Sequence, residues 1–184
     1  MEYSKEDESI RDIPVIDHVK NTQFNRPENV GNSEGVFASL FFQLHPAKWW
    51  DMQNNLFGVH QRADFQYEGN SLKLKNVFFG VNSTQSFTLP KAFSLEVSAN
   101  FFSPGYWGVY KWNPNGNLSI GVQKKLSEKW GTLNLNVNDI FLTNNWFGTA
   151  DQPELNLLIK SSYQQTERTF MLTWSNKFGN NKLK

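Results

Sequence analysis

Hydrophobic and polar residues alternate along much of this chain, most regularly in 132-TLNLNVNDIF-141. There Leu133, Leu135 and Val137 fall on one side, and Asn134, Asn136 and Asn138 on the other. Successive side chains of a strand point to opposite faces, so a period of two predicts a strand with one apolar and one polar face. The segment before it, 117-NLSIGVQKKL-126, sets Leu118, Ile120 and Val122 against Ser119, Gly121 and Gln123. Further back, 94-SLEVSANFF-102 sets Leu95, Val97, Ala99 and Phe101 against Glu96, Ser98 and Asn100. At the end, 170-FMLTWSNKF-178 places Phe170, Leu172, Trp174 and Phe178 opposite Thr173, Ser175 and Lys177. Three earlier segments are long enough for strands but noisier, with phenylalanine on both faces. The pattern predicts strands at 36–45, 49–65, 72–88, 93–102, 117–126, 131–146 and 154–178, and an eighth within 1–10.

Connections between these strands come in two alternating kinds. Residues 45–49, 88–93 and 125–131 are compact, and each carries at least one lysine and a proline or glycine. Residues 17–35, 64–71, 103–116 and 144–154 are longer and rich in turn formers. Short turns on one rim and long loops on the other are the arrangement of a membrane β-barrel. A row of asparagines at period two needs hydrogen bonds that a dry core would have to supply, whereas a water-filled lumen supplies them without further design. Aromatic residues gather at both strand ends. Trp49, Trp50, Phe87, Phe93, Trp130, Trp174 and Phe178 lie near the short turns, and Phe65, Tyr67, Tyr106, Trp107 and Trp146 near the long loops. Such girdles fit the two membrane interfaces. The alternative is a β-sandwich whose aromatics fill a core, against which stand the polar second face and strands longer than the usual five or six residues.

Composition changes the picture mainly by exclusion. The chain has 184 residues, the length of about one domain, and its net charge of +1 gives no strong electrostatic case for nucleic acid. With no cysteine it has no disulfide, thiolate metal site or thiol nucleophile. No run of about 18 apolar residues suggests a membrane helix, but barrel strands need only about 9 to 11 alternating residues. The opening 1-MEYSKEDESIRD-12 is polar throughout and does not read as a secretory leader.

Several stretches together carry a family resemblance: 27-PENVG-31, 46-PAKWW-50, 87-FTLPKAFSLEVSANFFSP-104 and 119-SIGVQKKLSEKWGTLNLNVNDIF-141. In order and spacing they resemble the C-terminal part of the outer-membrane β-barrel family of Bacteroidetes, relatives of TonB-dependent receptors. The likeness runs from about Tyr3 onward, with 138-NDIF-141 in the penultimate-strand position and Phe178 as the terminal aromatic. It implies an all-β, antiparallel transmembrane barrel in the bacterial outer membrane, with residues 1–184 forming one barrel segment. It also implies energised uptake of a nutrient, a plug domain, a TonB-like energy coupler, and insertion machinery that reads Phe178. Such receptors are transporters, not enzymes, and close with about 22 strands. About seven or eight strands here, with no plug, suggest the last part of such a barrel. A small self-closed barrel of about eight strands with a structural or adhesive role, or a soluble carbohydrate-binding sandwich, stays open.

Candidate chemistry is sparse. The histidines His18, His45 and His60 lack metal-ligand spacing, no nucleophile elbow or phosphate loop occurs, and no cofactor is expected. Asp139 reads as structural, turned inward by a bulge. The best ligand contacts are Tyr106, Trp107, Tyr110, Lys111 and Trp112 in 105-GYWGVYKW-112, with Trp146 at the next loop. Aromatic rings there can stack on a sugar or flat chelator and Lys111 can meet an anion, unless these residues serve as headgroup-level anchors.

Overall fold

A computed structural model describes residues 1–17, 19–20, 22–29, 31–67, 70–107, 110–152, 157–164 and 167–177. The strands are β1 (Glu2–Glu6), β2 (Ile10–Asp17), β3 (Thr22–Asn29), β4 (Ser33–Ala47), β5 (Trp50–Tyr67), β6 (Asn70–Leu89) and β7 (Phe93–Phe102). After them come β8 (Gly105–Trp107), β9 (Tyr110–Trp112), β10 (Asn115–Ser127), β11 (Gly131–Asn138), β12 (Asn145–Gln152), β13 (Leu157–Gln164) and β14 (Thr169–Ser175). Eight of them form one sheet in the order β1-β4-β5-β6-β7-β10-β11-β14, here called the wall. Strands β13-β12-β9-β8 make a second sheet, and β2-β3 a separate hairpin.

Register fixes which residues share a face of the wall. One row runs Trp50, Phe87, Leu95, Val122, Leu135, Leu172 across six strands, each residue paired with the next. The row beside it runs Ser86, Glu96, Gly121, Asn136, Met171 on the opposite face. Alternation in the sequence thus becomes one apolar and one polar sheet surface. The apolar surface is left open: Phe170 and Leu172 are each 67% exposed and Leu40 is 58% exposed. Among the described residues Ala150 is the only buried hydrophobic side chain. A water-soluble sandwich would place these rows in a dry core, and exposed apolar area of this extent requires a hydrocarbon surround.

On β5 and β6 the apolar band has visible limits. It begins at the Trp50–Phe87 pair and ends where Arg62 faces Lys75 and Asp64 faces Lys73. From Trp50 to His60 is about 11 residues, the ~9–11 that a tilted strand needs to cross the hydrocarbon. The polar side chains within the band are Asn54, Ser83, Gln85 and, at its outer limit, His60, of which the first three bond to one another. Trp50 Nε1 donates to Gln85 Oε1 at 2.9 Å, Gln85 Nε2 to Ser83 Oγ at 2.8 Å, and Ser83 Oγ to Asn54 Oδ1 at 2.8 Å.

The structure also moves several predicted boundaries. The segment 131–146 is not one strand: β11 stops at Asn138, and Asp139 takes a left-handed φ of 49°. Its carboxylate, only 4% exposed, accepts from the Thr143 and Asn144 amides at 3.0 and 3.1 Å, which closes the turn and gives Asp139 its structural part. The segment 154–178 divides between β13, in the second sheet, and β14, in the wall. The expected long loop at 64–71 is occupied by strand, since β5 runs to Tyr67 and β6 starts at Asn70. The stretch 1–10 does supply an eighth wall strand, β1, paired to β4 from Ser33 to Phe37. Phenylalanine on both faces has a local cause. Phe37, Phe57, Phe78 and Phe102 form a cluster on the polar side near the long-loop end, with ring centroids 5.9 to 6.4 Å apart around Phe57. Gly80 lies beneath the Phe57 ring, where a Cβ would collide with it.

Among the described residues both outer edges of the wall are open. Among the described residues β1 and β14 do not pair with each other, and β4 below Phe37 has no partner on its β1 side. The two faces predict distinct labelling. In chain refolded into lipid, cysteine at Asn134 or Asn136 should react readily with a water-soluble maleimide, and cysteine at Leu135 or Leu133 at least about tenfold more slowly. Equal rates at all four positions would contradict the sidedness of β11.

Candidate functional site

The second sheet sits over the polar side of the wall at its long-loop end, and Asn76 fixes it there. Asn76 Nδ2 donates to the Tyr106 carbonyl at 3.0 Å, and the Tyr106 amide donates back to Asn76 Oδ1 at 3.0 Å. A single 4% exposed side chain therefore imitates a strand neighbour for β8. Trp112 provides the second attachment. Its ring meets Phe78 edge-on at 5.3 Å, and its Nε1 donates to the Ser103 carbonyl at 3.0 Å. Ser103 in turn accepts the Phe79 amide at 2.9 Å.

Register separates the expected ligand residues into two groups. Gly105 pairs with Trp112, Trp112 with Gly148, and Gly148 with Ser161, so these share one face. Trp146 lies two residues from Gly148 and its ring covers that glycine, while Tyr110 lies two residues from Trp112. On this face Trp112 is engaged in attaching the sheet to the wall. On the other face, Tyr106 pairs with Lys111, Lys111 with Thr149 and Thr149 with Lys160. The side chains of Trp107, Phe65 and Tyr67, and residues Phe178 and His18, lie outside the described residues.

The expected set is therefore not one contact surface. Lys111 and Tyr106 are brought together with the 46% exposed Phe147, which the sequence offers beside Trp146 as a weaker candidate, and with Lys160, which sequence spacing did not nominate. Only the pairing of β9 with β12 and β12 with β13 reveals Lys160. The lysines stand two strand spacings apart, roughly 10 Å, and Phe147 lies one step along β12 on the same side. Two cations flanking Thr149 beside an aromatic ring can hold a flat or sugar-like anionic group. Asp151, also on this side of β12, faces Leu158 and limits the positive charge.

Below the second sheet the polar face of the wall is neutral apart from a few charges. Asn82, Asn100 and Asn117 form a row in which Asn100 Nδ2 donates to Asn117 Oδ1 at 3.1 Å. Farther toward the short turns, Glu96 stands beside Gly121, over which Asn136 folds its side-chain oxygen. A shallow recess there is lined by Ser94, Glu96, Gln123, Asn134 and Asn136. This arrangement suits contact with hydrated or hydrogen-bonding groups.

Of the seven aromatic residues expected at the short-turn rim, Trp49, Trp50, Phe87, Phe93, Trp130 and Trp174 lie at that end, and Phe178 falls outside the described residues. Trp49, Trp50 and Phe87 pack together with centroids 5.7 to 6.2 Å apart. Trp174 Nε1 donates to the Trp130 carbonyl at 2.8 Å, tying β14 to the turn before β11. That turn uses Gly131, whose φ of +68° and proximity to the Ser175 carbonyl leave no room for a side chain.

Compared with known families, the chain matches the model of the outer membrane protein beta-barrel family over residues 1–176. No curated protein and no solved structure matches it. The chain belongs to the outer membrane protein beta-barrel family and resides in the bacterial outer membrane, with its apolar face toward lipid.

Asn76→Ala should loosen the second sheet without unfolding the wall. Two lost hydrogen bonds to one buried side chain are worth about 1 to 3 kcal/mol, so amide exchange at Tyr106 should accelerate by about tenfold or more. Exchange along β7 and β10 should stay as it was. Unchanged exchange at Tyr106 would show that Trp112 alone holds the sheet.

Proposed function

We propose that this member of the outer membrane protein beta-barrel family supplies part of the wall of a larger barrel, of about 22 strands, in a receptor related to the TonB-dependent receptors of Bacteroidetes. Such a receptor binds a nutrient too large for porins and imports it with energy drawn from the inner membrane. The observation that carries this reading is the open wall. Among the described residues, eight strands with an apolar outer face and a polar inner face end in two unpaired edges. Unpaired backbone groups cost several kcal/mol each in hydrocarbon, so further strands must cover β14 and the lower part of β4.

Each surface takes a place in that reading. The polar face around Glu96, Asn134 and Asn136 faces the lumen, where a plug domain would sit and a TonB-like coupler would act on it. Lys111, Tyr106, Lys160 and Phe147 present an outward surface to the arriving nutrient. Phe178 serves as the recognition point for the barrel insertion machinery. The chemistry is binding and passage rather than catalysis, with neither cofactor nor nucleic acid involved.

Two measurements test it. Cysteines at Ser4 and Thr173 with a short crosslinker should yield no intramolecular product in the native membrane protein, whereas a self-closed barrel of eight strands brings β1 beside β14. Efficient crosslinking would overturn the larger wall. For transport, cells lacking the protein should lose uptake of a scarce large nutrient, and loss of the energy coupler should give the same defect. Wild-type uptake of all such nutrients in the deletion strain would remove the transport reading.

A further inference from the structure

The net charge of +1 hides an uneven distribution. At the short-turn end stand Lys48, Lys91, Lys124, Lys125, Lys129 and Lys177, against the carboxylates Asp51, Glu96 and Glu128. Two of those carboxylates point elsewhere. Asp51 is engaged by His45 at 2.7 Å and Gln43 at 2.8 Å, and Glu96 belongs to the polar face, paired between Ser86 and Gly121. Among the described residues none of the six lysines is in an ion pair.

These lysines recur with a constant neighbour. Lys48 precedes Trp49, Lys91 stands two residues before Phe93, and Lys129 precedes Trp130. Lys124, which pairs with Phe93 on the apolar face, sets its Nζ 4.1 Å from the Phe93 ring centroid and donates to the Lys91 carbonyl. Tryptophan and phenylalanine fix the depth of a strand end at the headgroup boundary. A lysine at the same level then extends its ammonium to the depth of the lipid phosphates. Lys48, Lys91 and Lys129 are all exposed at that depth.

We propose that the short-turn rim is a binding surface for phosphate-bearing anionic lipid headgroups of the inner leaflet, with Lys48, Lys91 and Lys129 as the principal contacts. Short turns face the periplasm in outer-membrane barrels, which assigns the leaflet. The lipid-side aromatics favour a headgroup over a soluble acidic protein, because the rings hold each cation beside the bilayer.

The test uses the full chain refolded into phosphatidylcholine bilayers doped with spin-labelled phosphatidylglycerol or spin-labelled phosphatidylcholine. The expected result is preferential association of phosphatidylglycerol that weakens with salt. Lys48→Gln, Lys91→Gln and Lys129→Gln combined should reduce that preference by about fivefold or more, the weight of at least one lost lysine contact. A control with Arg62→Gln, Lys73→Gln and Lys75→Gln removes equal charge from the other end and should retain most of the preference. Loss of preference in both variants alike, or in neither, would overturn the assignment. Abolition by millimolar inorganic phosphate would show a site for the free ion instead. Binding of an acidic peptide by a chain without lipid preference would point to a protein partner and equally overturn it.

Discussion

A backbone amide or carbonyl inside hydrocarbon has no water to bond, and this one constraint organises the molecule. It is met by the ladders of the wall, in which β5 pairs with β6 without interruption from Trp50–Phe87 to Tyr67–Asn70. No side-chain core takes over that role among the described residues, where Ala150 is the one buried hydrophobic side chain. Stability therefore depends on strand pairing and on the lipid that covers Leu135, Leu172 and their row. Most of the polar side chains in the band comply, as Ser83 and Gln85 spend their hydrogen bonds on each other, on Trp50 and on Asn54 Oδ1, while Asn54 Nδ2 is left without a partner.

The long-loop end follows a different logic, because water is present there and the wall can be decorated. Side chains rather than ladders join the second sheet to it, with Asn76 and Trp112 as the two attachments. Aromatic residues that look like ligand contacts are consumed in this joining. What remains outward, Lys111, Thr149 and Lys160, is a composite of three strands from distant parts of the chain. The site thus depends on β12 finding β9, a short pairing that among the described residues joins Gly148 with Trp112 and Thr149 with Lys111.

Much of the wall was legible from alternation alone. β7 coincides with its predicted span of 93–102, and β10 and the start of β11 lie close to theirs. These strands are crossed by lipid on one side and water on the other, which writes a clean period of two into the sequence. The reading failed where that contrast ends. Beyond Asn138 the left-handed Asp139 breaks the strand, yet the following Ile140 and Phe141 still look apolar. Loop strands such as β13 have no lipid face, so their pattern merged with that of β14. The Phe37–Phe57–Phe78 cluster reversed the expected polarity of its face because the second sheet covers it. Asn76 left no trace, since one asparagine in a strand is unremarkable until its partner backbone is known.

The uneven reach of the strands has a consequence for the cell surface. β5 and β6 stay paired for five residues past the Arg62–Lys75 row, as far as Tyr67 and Asn70, which adds roughly 17 Å at the usual rise per residue. The β2–β3 hairpin, paired from Ile10–Asn29 to Asp17–Thr22, leaves the wall at the same end. The long-loop side thus presents paired ribbons, not the lipid-facing rows, to whatever approaches from outside the cell.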